Sequence, residues 1–407
     1  MLKLLACQHI RYFCLTVVLL AFLSGALRTA VPLLTVQSGY SVSGVSWAQG
    51  LFSLAWPVFG TVAGTILDRH DKVTLAVNTL LIFAVLHVAL LASLMMKIVP
   101  PELVFFYAVV AGLTVVSAEA YMMTIPPLIM EGEKLTAFYS IVLFLDFGFS
   151  YFLGPVTASL VLTQSTALFL GLMIAVFVAS IFTVKRAIPT LPATDKPKVT
   201  VGYIITGFQF IFSNRQLTSL TALTFFLSVV FGAFLTSFIF FVTNSKHLGL
   251  HTSQYGLMFA AYALGAMTGA LCVRHLLGAA SVRTAVLADG LGTAALLIVP
   301  AYSNNVAAVW ATTFLAGVGL SLWFISVTAF RQRLTPKDIL GRANSAFRVI
   351  GYAGMPLGSF LVGVLGSLAS LQFAATVIAG LLLVAMVGVL PLLWSVDRIG
   401  TPAGSTI

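Results

Sequence analysis

Apolar runs long enough to cross a lipid bilayer recur along this chain almost without interruption. Two of them are FCLTVVLLAFLSGAL (13–27) and LTALTFFLSVVFGAFLTSFIFFV (220–242). Inside hydrocarbon no water satisfies the backbone, so only helices and closed barrels can span. Barrel strands alternate polar and apolar residues in segments of about ten; these runs are continuous. A helical, many-spanning membrane protein follows. Composition agrees: 60% of residues are apolar and 8% charged, where soluble domains are about a quarter charged.

A crossing helix needs about 20 mostly apolar residues, and the sequence predicts twelve spans. They lie near 12–35, 45–67, 73–96, 103–125, 137–162, 166–184, 217–242, 253–273, 284–301, 306–328, 343–366 and 371–394. The run from Tyr12 follows Lys3 and Arg11 but lacks a cleavage site, so it reads as the first membrane helix rather than a leader. With the N-terminus in the cytoplasm, all of the 21 Lys and Arg except Lys97, Lys246, Arg28 and Arg348 fall on the cytoplasmic side. That bias obeys the positive-inside rule. The net charge of +10 thus reports topology and a lipid bilayer as partner, not a nucleic acid. The expected location is the cytoplasmic (inner) membrane, with both termini in the cytoplasm.

The longest break in the apolar pattern, residues 185–216, divides the spans six and six. The expected organisation is a six-helix bundle over 1–184, a cytoplasmic linker over 185–216, a second bundle over 217–394 and a tail over 395–407. Tyr203, Ile204, Phe208, Phe210, Ile211 and Phe212 suggest an interfacial helix at the end of the linker. Sliding the chain by 205 residues aligns Gly44 with Gly249, Gln49 with Gln254, Gly60 with Gly265 and Gly64 with Gly269. Arg69, His70, Leu135 and Ser140 meet Arg274, His275, Leu340 and Ser345 at the same offset. A half-length internal repeat is a signature of secondary transporters, whose halves rock about a central site.

Five charged or titratable residues crowd GTILDRHDKV (64–73), straight after the second span. Gly60 and Gly64 form a small-xxx-small pair that lets helices approach. Asp68 sits at the membrane edge, where a carboxylate can accept from backbone amides or a cation. The stretch resembles the loop motif of the major facilitator superfamily through Gly64, Asp68, Arg69 and Lys72, with Asp71 standing where that family prefers glycine. The resemblance implies the major facilitator fold, two pseudo-symmetric six-helix bundles, and a role for this loop as a conformational latch. LTPKDILGRANSAFRVIGYAGMPLGSFLVGVLG (334–366) is similar to the macrolide-efflux and enterobactin-exporter branch through Gly341, Arg342, Ser345, Arg348, Pro356, Leu357 and Gly358. On that resemblance Gly341 and Arg342 join the latch. Pro356 and Gly358, with the antiporter-like Gly154 and Pro155, pack helices.

Ionisable groups in hydrocarbon cost several kcal/mol unless paired or facing a cavity, and so mark function. Asp146 lies roughly 14 Å along the fifth span, near the midplane, and Glu119 about 9 Å along the fourth. A carboxyl taken out of water favours its neutral form. Asp146 is therefore the first choice for proton coupling and Glu119 the second, against a structural ion pair. Arg28 can attract an anionic group, compensate a carboxylate or reach outward. Asp289 and Arg348 are expected to form a structural pair or gate. Some of Phe144, Phe147, Phe149, Tyr151 and Phe152 can line a cavity; Trp47, Trp56, Trp310, Trp323 and Trp394 read as packing residues or interfacial anchors.

Cys7, Cys14 and Cys272 show no paired spacing, and His9 and His87 lack metal-ligand company, so no metal is expected. No Walker loop, HExxH helix or GxSxG elbow occurs, which argues against an ATPase or an intramembrane hydrolase. The expectation is a monomeric, cofactor-free transporter driven by the proton gradient, exporting small amphipathic molecules such as a drug or siderophore. An uptake symporter and a non-transporting sensor are the rival readings.

Overall fold

The computed structural model describes residues 8–69, 71–96, 100, 102–130, 133–187, 201–244, 247–277, 282–336 and 339–393. Among them every regular element is a helix. The tail 395–407, Trp394, His70 and residues 188–200 of the linker lie outside the described residues. Gly64, Asp68, Arg69 and Lys72 are described by helical backbone alone.

The chain divides into two compact units, 1–198 with 250–260, and 199–249 with 261–407. The first contains α1 (Gln8–Gln37), α2 (Val42–Arg69), α3 (Lys72–Met95), α4 (Leu103–Thr124), α5 (Pro126–Ile129) and α6 (Glu133–Gly148). A π-helical turn (Phe149–Leu153), α7 (Gly154–Leu162) and α8 (Thr166–Ala187) complete it. In the second half follow α9 (Val201–Ser213), α10 (Arg215–Thr243), α11 (Tyr255–Leu277), α12 (Val282–Tyr302) and α13 (Val306–Leu334). The last three are α14 (Leu340–Tyr352), α15 (Gly354–Leu368) and α16 (Leu371–Leu393).

Ten helical stretches among the described residues are long and apolar enough to cross a membrane. The second and eighth expected crossings are occupied by α2, of 28 residues, and α11, of 23. At 1.5 Å per residue both exceed the roughly 30 Å hydrocarbon core. The chain is a multi-pass membrane protein.

Two spans read as continuous from the sequence are broken in the structure, and proline explains both. Pro155 has no N–H, and its ring crowds the carbonyl one turn back. The helix widens there into the π turn, closed by the Gly154 N–H donating to the Phe149 carbonyl. Pro356 does the same to the eleventh span, which turns at Ala353 between α14 and α15.

Each unit uses backbone-to-backbone glycine crossings. In the first, Gly25 of α1 lies against the Ser150 carbonyl, and Gly154 against Phe22 and Ala26. In the second, Gly232 of α10 lies against the Met355 carbonyl and Gly358 against Val229. A serine hydroxyl bridges each crossing: Ser150 Oγ to the Ala21 carbonyl at 3.0 Å, Ser359 Oγ to the Gly232 carbonyl at 3.2 Å. Gly112 of α4 meets the Phe52 carbonyl of α2, while Gly317 of α13 meets the Tyr262 carbonyl of α11. Gly112 and Gly317 are 205 residues apart, the offset found in the sequence, while their partners Phe52 and Tyr262 are 210 apart.

The end of the linker is helical. α9 docks on α14: Gly207 lies against the Arg342 carbonyl, and Arg342 Nη1 donates to Thr206 Oγ1 at 3.1 Å. The first unit also takes in residues 250–260, where the Gly256 N–H donates to Ser159 Oγ at 3.1 Å.

Candidate functional site

The first unit gathers three of its intramembrane charges around one point. Arg28 comes from α1, Glu119 from α4 and Asp146 from α6. Arg28 Nη2 lies 3.5 Å from Glu119 Oε1, with the two side chains 10% and 23% exposed. Glu119 Oε2 accepts from Trp56 Nε1 of α2 at 2.9 Å. The Arg28 guanidinium stands 5.0 Å from the centre of the Tyr151 ring, in the π turn. Asp146 feels the charges of both Arg28 and Glu119.

The π turn orders this corner. It carries Ser150 one turn beyond Asp146, with Oγ 2.7 Å from Asp146 Oδ1 and 3.0 Å from the Ala21 carbonyl of α1. Both neighbours accept hydrogen bonds when Asp146 is ionised, and one hydroxyl proton cannot serve both. A proton on Asp146 would let it donate to Ser150 Oγ while Ser150 donates to Ala21.

Polar atoms without protein partners occur on Arg28 itself and on the face of α2 that carries Trp56. Arg28 Nη1 has none among the described residues, nor do the amide atoms of Gln49 or Ser53 Oγ. Gln49 is 0% and Ser53 1% exposed. With Trp56 they occupy positions i, i+4 and i+7 of α2, one side of that helix. Buried polar groups left without protein partners imply water or a ligand.

Several sequence readings change here. Trp56 is a hydrogen-bond donor to Glu119, not an interfacial anchor. Of the roles open to Arg28, its 3.5 Å approach to Glu119 fits that of compensating a carboxylate. Asp289, 4% exposed on α12, has Thr293 Oγ1 at 3.5 Å and no ion pair among the described residues. Arg348 instead lies 5.6 Å from the Tyr352 ring. Among the described residues Asp289 and Arg348 form no ion pair; α12 packs mainly on α13, α16 and α10, and α14 on α9 and α10. Gly341 has open space around it. Pro356 is buried in α15. Sequence reasoning passed over Ser150, Ser53 and Gln49 as site residues. The signal available was their position one turn, or a multiple of it, from a charged or aromatic neighbour. No group of three or more His, Cys, Asp or Glu able to hold a metal occurs among the described residues.

Comparison with known proteins agrees with this architecture. Residues 229–405 match the Major Facilitator Superfamily. No curated protein sequence matches the chain. Among solved structures, a mutant of the nucleoside transporter NupG is 12% identical, covering 93% of this chain and 99% of its own, with a TM-score of 0.75. The human organic anion transporter MFSD10 (TETRAN) is 12% identical over 94% of this chain and 98% of its own, with a TM-score of 0.67. A bacterial homologue of the iron transporter ferroportin, in the outward-facing state, is 16% identical over 96% and 100%, with a TM-score of 0.65. The proteins it resembles are transporters, not enzymes. The chain has the fold of the Major Facilitator Superfamily, and its residues 229–405 carry that superfamily's sequence pattern.

Proposed function

We propose that this protein is a proton-coupled secondary transporter of small amphipathic molecules, with Arg28, Glu119 and Asp146 as its coupling centre. The observation that carries the reading is one buried guanidinium among two carboxylates. With both carboxylates ionised the cluster carries one net negative charge, and one proton neutralises it. The proton resides on Asp146, which then donates to Ser150 Oγ while the Ser150 hydroxyl donates to the Ala21 carbonyl. Glu119 then holds Arg28. When the proton leaves, ionised Asp146 competes for Arg28, whose Nη1 is open. The guanidinium thus has two partners on different helices, α4 and α6. Substrate and proton act on this choice by favouring different conformations; equal affinity for both would shift nothing.

In this reading the bundles over 1–184 and 217–394 alternate access to the site. Gly64, Asp68, Arg69 and Lys72, with Gly341 and Arg342, latch the cytoplasmic side. Arg342 already ties α14 to α9 through Thr206. The protein works as a monomer in the inner membrane with cytoplasmic termini, and its resemblance to exporters points to outward transport of a drug or siderophore.

Purified protein in liposomes tests this with an imposed proton gradient and a compound panel. Wild-type protein should move solute and protons together, against the proton flow for export. Asp146→Asn should bind solute, read by tryptophan fluorescence, yet lose gradient-driven flux. Undiminished gradient-driven flux in Asp146→Asn refutes the proton assignment. Flux of solute along with the protons makes the protein an uptake symporter, and no flux under any gradient makes it a sensor.

A further inference from the structure

We propose that the first unit holds one acyl chain of a bilayer phospholipid in a cavity between α2, α3 and α4. The cavity has a volume of about 200 Å³ and lies apart from the charged cluster, on the other side of α4. Its floor is closed by Leu20 of α1 and Val184 of α8, 2% and 0% exposed. At its rim stands Phe59 of α2, 42% exposed. Among the described residues α2 packs chiefly on α4, and α3 chiefly on α8.

Its dimensions suit hydrocarbon. On α3 the lining runs from Leu75 to Phe83, and on α4 from Tyr121 back to Leu113. Each stretch is about 12 Å long, most of the roughly 15 Å that one leaflet contributes to the hydrocarbon core. One end lies about a turn inside the start of α3 and the end of α4; the other reaches the midplane. A cavity of about 150 Å³ takes a benzene, so this one takes roughly eight carbons. Spread over that length, they fit as one chain rather than as a fused ring.

The chemistry of the wall points the same way. Thr114 and Ser117 bond their own helix, to the Val110 and Leu113 carbonyls, both at 2.8 Å. Their protons are therefore used within α4, and beside them only Thr79 and Tyr121 bring hydroxyls to a lining that is otherwise apolar. Lipid tails are as apolar as leucine, so no hydrophobic force drives a chain inward. The gain is dispersion: atoms around a void lack partners on one side, and the chain supplies them. Lipid is the solvent here, so weak affinity suffices for occupancy.

The test uses full-length protein in nanodiscs of phosphatidylethanolamine and phosphatidylglycerol, doped with a phospholipid bearing a mid-chain diazirine. After photolysis, adducts are mapped by peptide mass spectrometry. Adducts are expected on Leu80, Phe83 and Leu113, as well as on outward residues such as Ile82 and Val85, each 58% exposed. Ala76→Phe and, separately, Ala118→Phe fill the cavity. Each should lower the inner adducts severalfold and leave the outward ones unchanged. Adducts on outward residues alone in the wild type overturn the proposal, as do inner adducts undiminished in both variants. If a variant does not fold, the wild-type map decides alone. The transport reading stands or falls separately, on Asp146→Asn.

Discussion

Gly154→Ala tests whether the crossing of α1 over the π turn holds the charged cluster in place. A Cβ on Gly154 would sit 2.8 Å from Ala26 N, 2.8 Å from the Phe22 carbonyl and 2.8 Å from the Phe149 carbonyl. Ordinary contact begins at 3.4 Å, so α1 and α7 must part by about 0.6 Å. All three obstacles are backbone atoms, so no side chain can rotate away to relieve them. Overpacking of this kind costs typically 1–3 kcal/mol. At about 3 °C per kcal/mol for a unit near 200 residues, the melting temperature should fall by about 6 °C. Arg28 stands two residues beyond Ala26 on the displaced helix, so gradient-driven flux should fall as well. The assay is thermal unfolding in detergent, followed by flux in liposomes. Gly148→Ala is the internal control: nothing lies within 4 Å of its Cβ position. Alanine there should leave stability unchanged or raise it by about 0.5–1 kcal/mol. Equal melting temperatures for Gly154→Ala and wild type, or an equal fall for Gly148→Ala, refute the reasoning.

Trp56→Phe removes the donor to Glu119 while keeping an aromatic ring; losing a hydrogen bond to a charged group costs about 1.5–3 kcal/mol, and flux should drop about tenfold or more. Arg28→Gln should destabilise more than Glu119→Gln, because the first leaves the ionised Glu119 without its cation beside a second carboxyl group, while the second leaves Arg28 beside Asp146, which can ionise and take its place. Removing one partner of a buried pair costs about 3–5 kcal/mol, and the double variant should recover part of that loss; melting temperatures of the three variants decide, and equal effects of the two single changes contradict the assigned geometry. Ser159→Ala leaves the Gly256 N–H without its acceptor, a loss of about 1–3 kcal/mol, read as a lower melting temperature that Ser159→Thr partly restores.

Much of this fold is written in one dimension. Runs of twenty-odd apolar residues in a solvent without hydrogen bonds leave the backbone no choice but the helix, so class and number of crossings follow from length and hydropathy. Charge asymmetry between loops supplies an expected orientation, and the 205-residue offset exposes duplication before any contact is known. Breaks inside spans are less legible. Pro155 and Pro356 announce a disturbance, but whether it becomes a widened turn or a bend depends on what the freed carbonyl meets.

The site was legible in its charges and not in their partners. Arg28, Glu119 and Asp146 stand out because ions in lipid are costly. Sequence periodicity shows which residues share a face of one helix, but not how two helices are rotated or shifted against each other. That registration is set by close crossings such as Gly25 on Ser150 and Gly112 on Phe52. It brought Trp56 to Glu119 and Ser150 to Asp146. The chain's composition determined that a few charges would lie in hydrocarbon; only the packed backbones decided which of them meet.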